Sequence, residues 1–450
     1  MSSSPSPTLI DRKEPGDSRK PAMPPKEVQN SPAYKGPVRY VVLVWEFTLV
    51  VVLFPYHFVK FALLPSKRPR PTWTLLEAAV LPAVTRIMGA MDKTGTPIST
   101  RDVFAPPFSK WPLRLKNVEF EWVEGIPDDL IGGVIDDEHI SQRDRVGMYS
   151  WRRKDAERQG GGQGKGGQGE GNDLVGLFFH GGAYTHNSAS PRSPSSAIPK
   201  TLFKREPRFR SMHAVEYRLL PWYAFPAALQ DAAAAYISLL RRGVKGHQIV
   251  LIGDSSGGHL ALALTRWIKD MIKDGKGILR EEPTEGKDGE KRQWKMEEPA
   301  GLVLLSPWTD PSHSFLNVKP EDYVPRRNSC DYLLEEGPFR HHIVNGLLGS
   351  HAKEFVLSPY MSPGAASQPP SIFADFPPAF VHYGTGERCM DEGIRVVEKM
   401  KAAGVRVDVV VTEDTPHDLI LLAMVWKKKQ VEEVWTGALN FVKTLNAGKA

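Results

Sequence analysis

Two glycine-rich turns carry the reactive groups of this chain. In Ile249-Val-Leu-Ile-Gly-Asp-Ser-Ser-Gly-Gly-His259 an apolar, mostly β-branched run enters Gly253, and an Ala/Leu-rich run over 259–268 follows Gly258. A strand, a tight turn and a helix with Ser255 at the apex form a nucleophile elbow, G-x-S-x-G. Gly253 and Gly257 let strand and helix approach closely while Ser255 takes a strained backbone that exposes its hydroxyl. The helix that follows aims its positive end at the place where an oxyanion would form. Upstream, Leu174-Val-Gly-Leu-Phe-Phe-His-Gly-Gly-Ala-Tyr184 is a second apolar run, ending in His180-Gly181-Gly182-Ala183. Backbone N–H groups of such a turn suit a developing oxyanion. These residue types, in this order, point to acyl transfer through a serine nucleophile.

A third stretch lies between the two turns: Tyr217-Arg-Leu-Leu-Pro-Trp-Tyr-Ala-Phe-Pro-Ala-Ala-Leu-Gln-Asp231. Together the three resemble the hormone-sensitive-lipase-like family of α/β-hydrolases, over about 118–442. The chain departs from the family at Ala183, where a third glycine is usual, and at Ser256, where alanine is common. Both residues keep the backbone N–H that the chemistry needs. The resemblance implies an α/β-hydrolase fold, a mostly parallel central sheet with helices on both faces and an N-terminal and inserted cap. It also implies an oxyanion hole made by the N–H groups of Gly182, Ala183 and Ser256, with Gly181 helping.

A serine hydroxyl needs a base, and the base needs an orienting carboxylate. In α/β-hydrolases the order is serine, acid, histidine, which places the base on His417 in Thr415-Pro-His-Asp-Leu419. The segment Gly384-Thr-Gly-Glu-Arg-Cys-Met-Asp-Glu-Gly393 resembles the family's D-P-L-x-D-E-G. That match puts the acid on Glu387 and leaves Asp391 as the alternative; Asp254 is expected to face the interior and brace the site. The implied reaction is hydrolysis of a small lipophilic ester, with no cofactor and no metal. An amidase or peptidase would use the same triad. A non-catalytic ligand-binding homologue is a further alternative, although such relatives lose a triad residue and this chain keeps all three.

Composition narrows the remaining classes. The 450 residues carry a formal net charge of +6, without the concentrated basic signature of a nucleic-acid binder. Cys330 and Cys389 are the only cysteines, so no disulfide framework or cysteine-rich zinc site is available. The 13 histidines show no HExxH spacing, and His341-His342 reads as a solvated helix face.

The elements that must position these groups follow from periodicity. Residues 1–37, rich in Ser, Pro and Lys, read as a disordered tail. Residues 38–64 are long and apolar enough to span a bilayer. Glu46 and Lys60 lie inside that stretch, each costing roughly 2.5–3.5 kcal/mol near a bilayer centre, and Pro55 is expected to kink it. A lid packed on the enzyme is the alternative to a single-pass membrane anchor. Its orientation stays open because basic residues flank both ends. The endoplasmic reticulum is a candidate compartment, and the layout is similar to that of fungal steryl deacetylases. Residues 65–115 read as cap or linker helices, with a helix over 72–91 broken at Pro82.

The hydrolase domain is expected over 116–445. It should open with half-exposed strands over 118–123 and 146–151, the latter joined to 174–179 as a hairpin through a flexible glycine-rich insertion at 155–173. Strands over 212–217, 249–252, 300–306, 379–383 and 405–411 alternate with helices over 226–240, 259–268, 393–403 and 422–445, an open α/β pattern. The basic run over 199–210 reads as a solvated face. Residues 270–298 read as a second flexible insertion. Residues 311–376 read as the second part of the cap, contributing Tyr323, Phe339, Tyr360 and Phe373.

Overall fold

The computed structural model describes residues 36–94, 118–142, 144–153, 173–280, 293–314, 330–333 and 338–445. The strands are β1 (Glu119–Glu124), β2 (Arg145–Arg152), β3 (Leu174–Phe179), β4 (Phe209–Glu216), β5 (Ile249–Asp254), β6 (Ile278–Arg280), β7 (Gln293–Lys295), β8 (Gly301–Leu305), β9 (Ala379–Gly384) and β10 (Val407–Thr412). The helices are α1 (Gly36–Leu63), α2 (Leu75–Thr94), α3 (Ala197–Arg205), α4 (Ala227–Arg241), α5 (Ser256–Lys273), α6 (Pro338–Leu348), α7 (Met390–Ala402) and α8 (Lys428–Thr444). Eight strands make one sheet in the order β1-β2-β4-β3-β5-β8-β9-β10, while β6 and β7 pair separately. Only the β1–β2 and β2–β4 pairings of that sheet are antiparallel.

The sheet is a doubly covered layer. β3, β5, β8 and β9 are buried along their whole length, as continuous Val/Ile/Leu runs with helices on both faces require. On one face α4, α5 and α7 contribute Leu229, Leu260 and Val396 to a core shared with Leu251 and Leu304. On the other, α3 and α8 contribute Leu202 and Phe441, packed with Ile252 and Phe380. Phe61 of α1 and Trp73, Ala78 and Leu81 beside or within α2 join that second core.

Several expectations need correction. β2 and β3 are not a hairpin: β4 lies between them and pairs with both. The interior of β2, from Val146 to Trp151, is buried on both faces instead of alternating, because its side chains enter both cores. Pro82 does not break α2; a proline in a helix removes one hydrogen bond, and α2 packs along α1, which runs from Gly36 to Leu63 through Pro55. The closing helix begins at Lys428 instead of 422. Ahead of it, Trp426 packs edge-on against Trp73 with centroids 5.1 Å apart, and the Lys427 N–H donates to Glu77 at 2.8 Å. Docking to α2 takes that segment out of the helix.

The stretch 270–298 is ordered at both ends: α5 reaches Lys273, Met296 is buried, and Lys269 Nζ meets Glu298 Oε1 at 2.9 Å. Within 199–210, Arg208 is no solvated cation, since its guanidinium donates to the Val442 and Leu445 carbonyls at the end of α8. Arg205 pairs with Glu432 at 2.9 Å. Phe373 belongs to the core beneath α4 and α5, and the Tyr360 hydroxyl donates to Asp270 of α5. Tyr323, residues 154–172 and 281–292, the tail up to 35, and the side chains of Phe339, His341 and His342 lie outside the described residues.

Glu46 does not stand alone in the apolar helix α1. Its carboxylate accepts from Arg86 Nη1 at 2.5 Å and Lys93 Nζ at 3.2 Å, both on α2. Lys60 lies over the rings of Phe61 and Tyr56, at 5.4 and 6.0 Å. The opposite side of α1 exposes Val41, Val44, Trp45, Val51 and Val52.

Candidate active site

The elbow forms where β5 turns into α5. Ser255 has φ 50° and ψ −119°, a conformation that a non-glycine residue holds only when its surroundings enforce it. They do. Its N–H donates to the Leu305 carbonyl at 2.9 Å, and its own carbonyl accepts from Trp308 N at 3.0 Å. A Cβ on Gly257 would lie 2.0 Å from the Phe179 carbonyl oxygen, so only glycine allows α5 to start this close to β3.

His417 and Glu387 arrive on neighbouring loops. β9 and β10 are adjacent and parallel, with Gly384 opposite Thr412, so the loops leaving their C-terminal ends run side by side. Such ends border the crevice where open α/β sheets bind ligands. His417 Nε2 is 2.8 Å from Ser255 Oγ, and its Nδ1 is 3.6 Å from Glu387 Oε2. Glu387 is wholly buried. Asp391, the alternative acid, sits in the first turn of α7. The loop thus brings Ser255, His417 and Glu387 together.

A second carboxylate reaches the same imidazole. Asp418 Oδ2 is 3.3 Å from His417 Nε2, the nitrogen that also faces Ser255. Asp418 is buried, adopts a left-handed backbone at φ 47°, and its N–H donates to Ser306 Oγ at 3.2 Å. Burial works against a charged imidazole, but Asp418, Cys389 and Glu387 outweigh it and hold His417 well above the ordinary imidazole range. Burial pushes the Glu387 carboxyl up, only partly offset by His417. Asp254 and Asp418 are likewise pushed up, chiefly by burial and further by neighbouring carboxylates. Carboxylates crowded around one imidazole favour its protonated form.

The glycine turn after β3 lies across from the elbow. Gly182, Ala183 and Tyr184 have φ of 114°, 52° and 56°, which turns successive N–H groups toward one side. Among the described residues, the N–H groups of Gly182, Ala183 and Ser256 donate to no protein acceptor. Gly181 instead packs on Asp254: a Cβ there would meet Asp254 Oδ2 at 2.6 Å. Tyr217 holds the turn from behind, its hydroxyl donating to the His180 carbonyl at 2.5 Å and its ring stacked on His180 at 4.4 Å. Next to it, buried Arg218 binds Asp231 and Gln230, closing the stretch 217–231 into one network.

Asp418 and Asp331 escaped the reading of the sequence. Asp418 had a signal, being the neighbour of the base. Asp331 had none, because it meets His417 from 86 residues away. Among the described residues, no group of three or more His, Cys, Asp or Glu side chains is arranged to hold a metal ion.

Comparison with known proteins places the chain. A family model described as alpha/beta hydrolase fold matches residues 176–421, more than half of the chain. The esterase LipU of Mycobacterium tuberculosis is 25% identical over 253 residues, covering 55% of this chain and 70% of that protein. An acetyl-hydrolase of Streptomyces hygroscopicus is 27% identical over 229 residues, 51% of this chain and 62% of that protein. The crystal structure of EstE7, a hormone-sensitive-lipase homologue from a metagenome library, superposes with a TM-score of 0.51 at 20% identity, covering 82% of this chain and 97% of that one. The elbow, the glycine turn and the mostly parallel sheet agree with those likenesses: the chain belongs to the α/β-hydrolase-fold family.

Proposed function

We propose that this protein is a serine carboxylic-ester hydrolase acting on a small lipophilic ester. The observation that carries the reading is the 2.8 Å approach of His417 Nε2 to Ser255 Oγ, at an elbow whose positive φ leaves the hydroxyl facing the base. His417 takes the Ser255 proton as the oxygen attacks the acyl carbon. The N–H groups of Gly182, Ala183 and Ser256 stabilise the tetrahedral oxyanion; Gly181, turned toward Asp254, supports the loop. Glu387 steadies the imidazolium, which then protonates the leaving alcohol. Deacylation repeats the cycle with water in place of the serine hydroxyl. Esterase and acetyl-hydrolase relatives support ester over amide hydrolysis. A lipophilic substrate and membrane attachment are supported by α1, the one helix among the described residues that is long and apolar enough to cross a membrane. On this reading 38–64 is the anchor, α2 and its flanks the cap or linker, and 116–445 the hydrolase domain.

A fluorophosphonate probe should label the full chain at Ser255, and Ser255→Ala should lose labelling and lower ester turnover by several powers of ten. Glu387→Gln should lower kcat far more than Asp391→Asn, on the order of 100-fold or more against less than tenfold. Labelling that survives Ser255→Ala removes the proposal, and a dead Asp391→Asn beside an active Glu387→Gln moves the acid.

A further inference from the structure

The loops that carry Glu387 and His417 bond to each other where they leave the sheet, through Gly386 N to the Thr415 carbonyl at 3.0 Å and Asp414 N to Thr385 Oγ1 at 2.7 Å; a third segment ties them again next to the two side chains. Residues 330–333 come from between β8 and α6, and their centre is Asp331, which is 3% exposed. Asp331 Oδ2 accepts the Arg388 N–H at 2.7 Å, next to Glu387. Oδ1 accepts the His417 N–H at 3.3 Å and the Tyr332 N–H at 2.8 Å, with Leu333 N at 3.4 Å. The flanking residues grip the same two loops. A Cβ on Gly386 would lie 2.7 Å from Cys330 Cβ, and the Tyr332 ring meets the His417 ring at 65° with centroids 6.2 Å apart.

We infer that Asp331 is a positioning residue of the triad, one buried carboxylate that fixes the acid-bearing loop and the base-bearing loop at a set separation. The inference rests on the serine-hydrolase reading above. Charge alone does not explain an aspartate here, since Glu387 and Asp418 already crowd the site and a third carboxylate repels both. Hydrogen bonding does explain it. Two carboxylate oxygens present about four lone pairs, and four backbone N–H groups converge on them. An asparagine offers one such oxygen, and its NH₂ would face an N–H donor on one loop whichever way it is turned. The bonds from Gly386 to Thr415 and from Asp414 to Thr385 would remain, but the tie beside Glu387 or beside His417 would be lost, loosening their 3.6 Å spacing.

The titratable groups that feel the Asp331 charge are Glu387 and Asp418 on the two loops and Tyr332 beside it; Arg388 and His417 meet it through their backbone N–H groups. Glu46, His57, Arg86 and Lys93 face it across a cavity of about 490 Å³ between α1 and α2 that Asp331 also lines.

The test uses full-length protein, with active sites counted by fluorophosphonate titration. Asp331→Asn should lower kcat per labelled site for a short p-nitrophenyl ester by about 10- to 100-fold, with KM within about twofold. The acid limb of its pH–rate profile should move to lower pH, because a released Glu387 no longer supports the imidazolium. Asp331→Glu keeps both oxygens and should recover part of kcat. A residue that only filled the core would change yield and Tm but neither kcat per site nor the acid limb. An Asp331→Asn enzyme with wild-type kcat and acid limb overturns the inference. If that variant does not fold, amide exchange on the wild-type chain decides: the Arg388 and His417 amides should be protected together, and exchange of either at the rate of open backbone overturns it. Ser255→Ala separates the two readings. Its continued labelling sinks the serine mechanism, whereas a silent Ser255→Ala beside an unaffected Asp331→Asn sinks only the clamp.

Discussion

His417 Nε2 has two neighbours, Ser255 Oγ at 2.8 Å and Asp418 Oδ2 at 3.3 Å, and they compete for it. On the proposed mechanism a neutral Nε2 accepts the serine proton, and a protonated one pairs with Asp418. Asp418 is the largest of the charges that hold His417 above the ordinary imidazole range, so turnover should rise toward alkaline pH. Asp418→Asn should move the acid limb of kcat/KM to lower pH while changing kcat at alkaline pH less than about tenfold. The stability consequence has the same sign for both groups. Folded His417 and folded Asp418 bind protons more tightly than their unfolded counterparts. The stability tied to His417 is fully present below about pH 6.5, that tied to Asp418 below about pH 4, and each is lost as pH rises through the folded value. Urea midpoints at pH 5 and 9 should therefore differ less in Asp418→Asn than in wild type. An unmoved acid limb would show that Asp418 does not compete for the base.

At the scale of elements, the site depends on how closely three of them meet. α5 starts against the end of β3, where a Cβ on Gly257 would lie 2.0 Å from the Phe179 carbonyl oxygen. That contact is with backbone, so no rotamer change relieves it. Gly257→Ala should cost about 3 kcal/mol or more, in the range of severe overpacking, and should displace the oxyanion turn along with the elbow. Denaturant midpoints and probe labelling check this together. Near-wild-type values in both would mean that β3 and α5 can part without consequence. The loop of His417 is held from the other side: Trp73 Nε1 donates to the Asp414 carbonyl at 2.6 Å and Thr72 to the Asp414 carboxylate at 2.6 Å. The helical pair α1–α2 thus grips the loop that carries the base.

For the whole molecule the question is what covers α1. Its exposed side is Val41, Val44, Trp45, Val51, Val52 and Val59, more apolar surface than a soluble monomer usually leaves in one stripe. The charge that argued against insertion, Glu46, is paired with Arg86 and Lys93, which lowers the cost of placing it near lipid. Full-length protein should stay in the membrane pellet under alkaline carbonate, and protein lacking residues 1–64 should be released. Full-length protein in the supernatant would make α1 a peripheral or cap helix. The basic run over 199–210, which reads as a solvated face, is partly spent on α8 through Arg205 and Arg208.

Read alone, the sequence was sufficient for the elbow, the glycine turn and the doubly covered sheet. Those depend on local rules: a turn that needs glycine, a strand buried on both faces, a helix that follows at once. Ser255 followed from the same local rules, while His417 and Glu387 were expected from the chain order and the D-P-L-x-D-E-G likeness of the resembled family; the fold sets His417 2.8 Å from Ser255 and 3.6 Å from Glu387. The sequence did not reveal that β4 separates β2 from β3, because strand order is set by which faces the crossover helices cover and not by which runs are neighbours. It hid Asp331 and the partners of Glu46, since 57 and 86 residues separate Asp331 from Arg388 and His417, and 40 and 47 separate Glu46 from Arg86 and Lys93. A polar residue's pattern along the chain says that it is polar. Only the packed fold brings its partner within hydrogen-bond reach, and burial then gives the contact its strength.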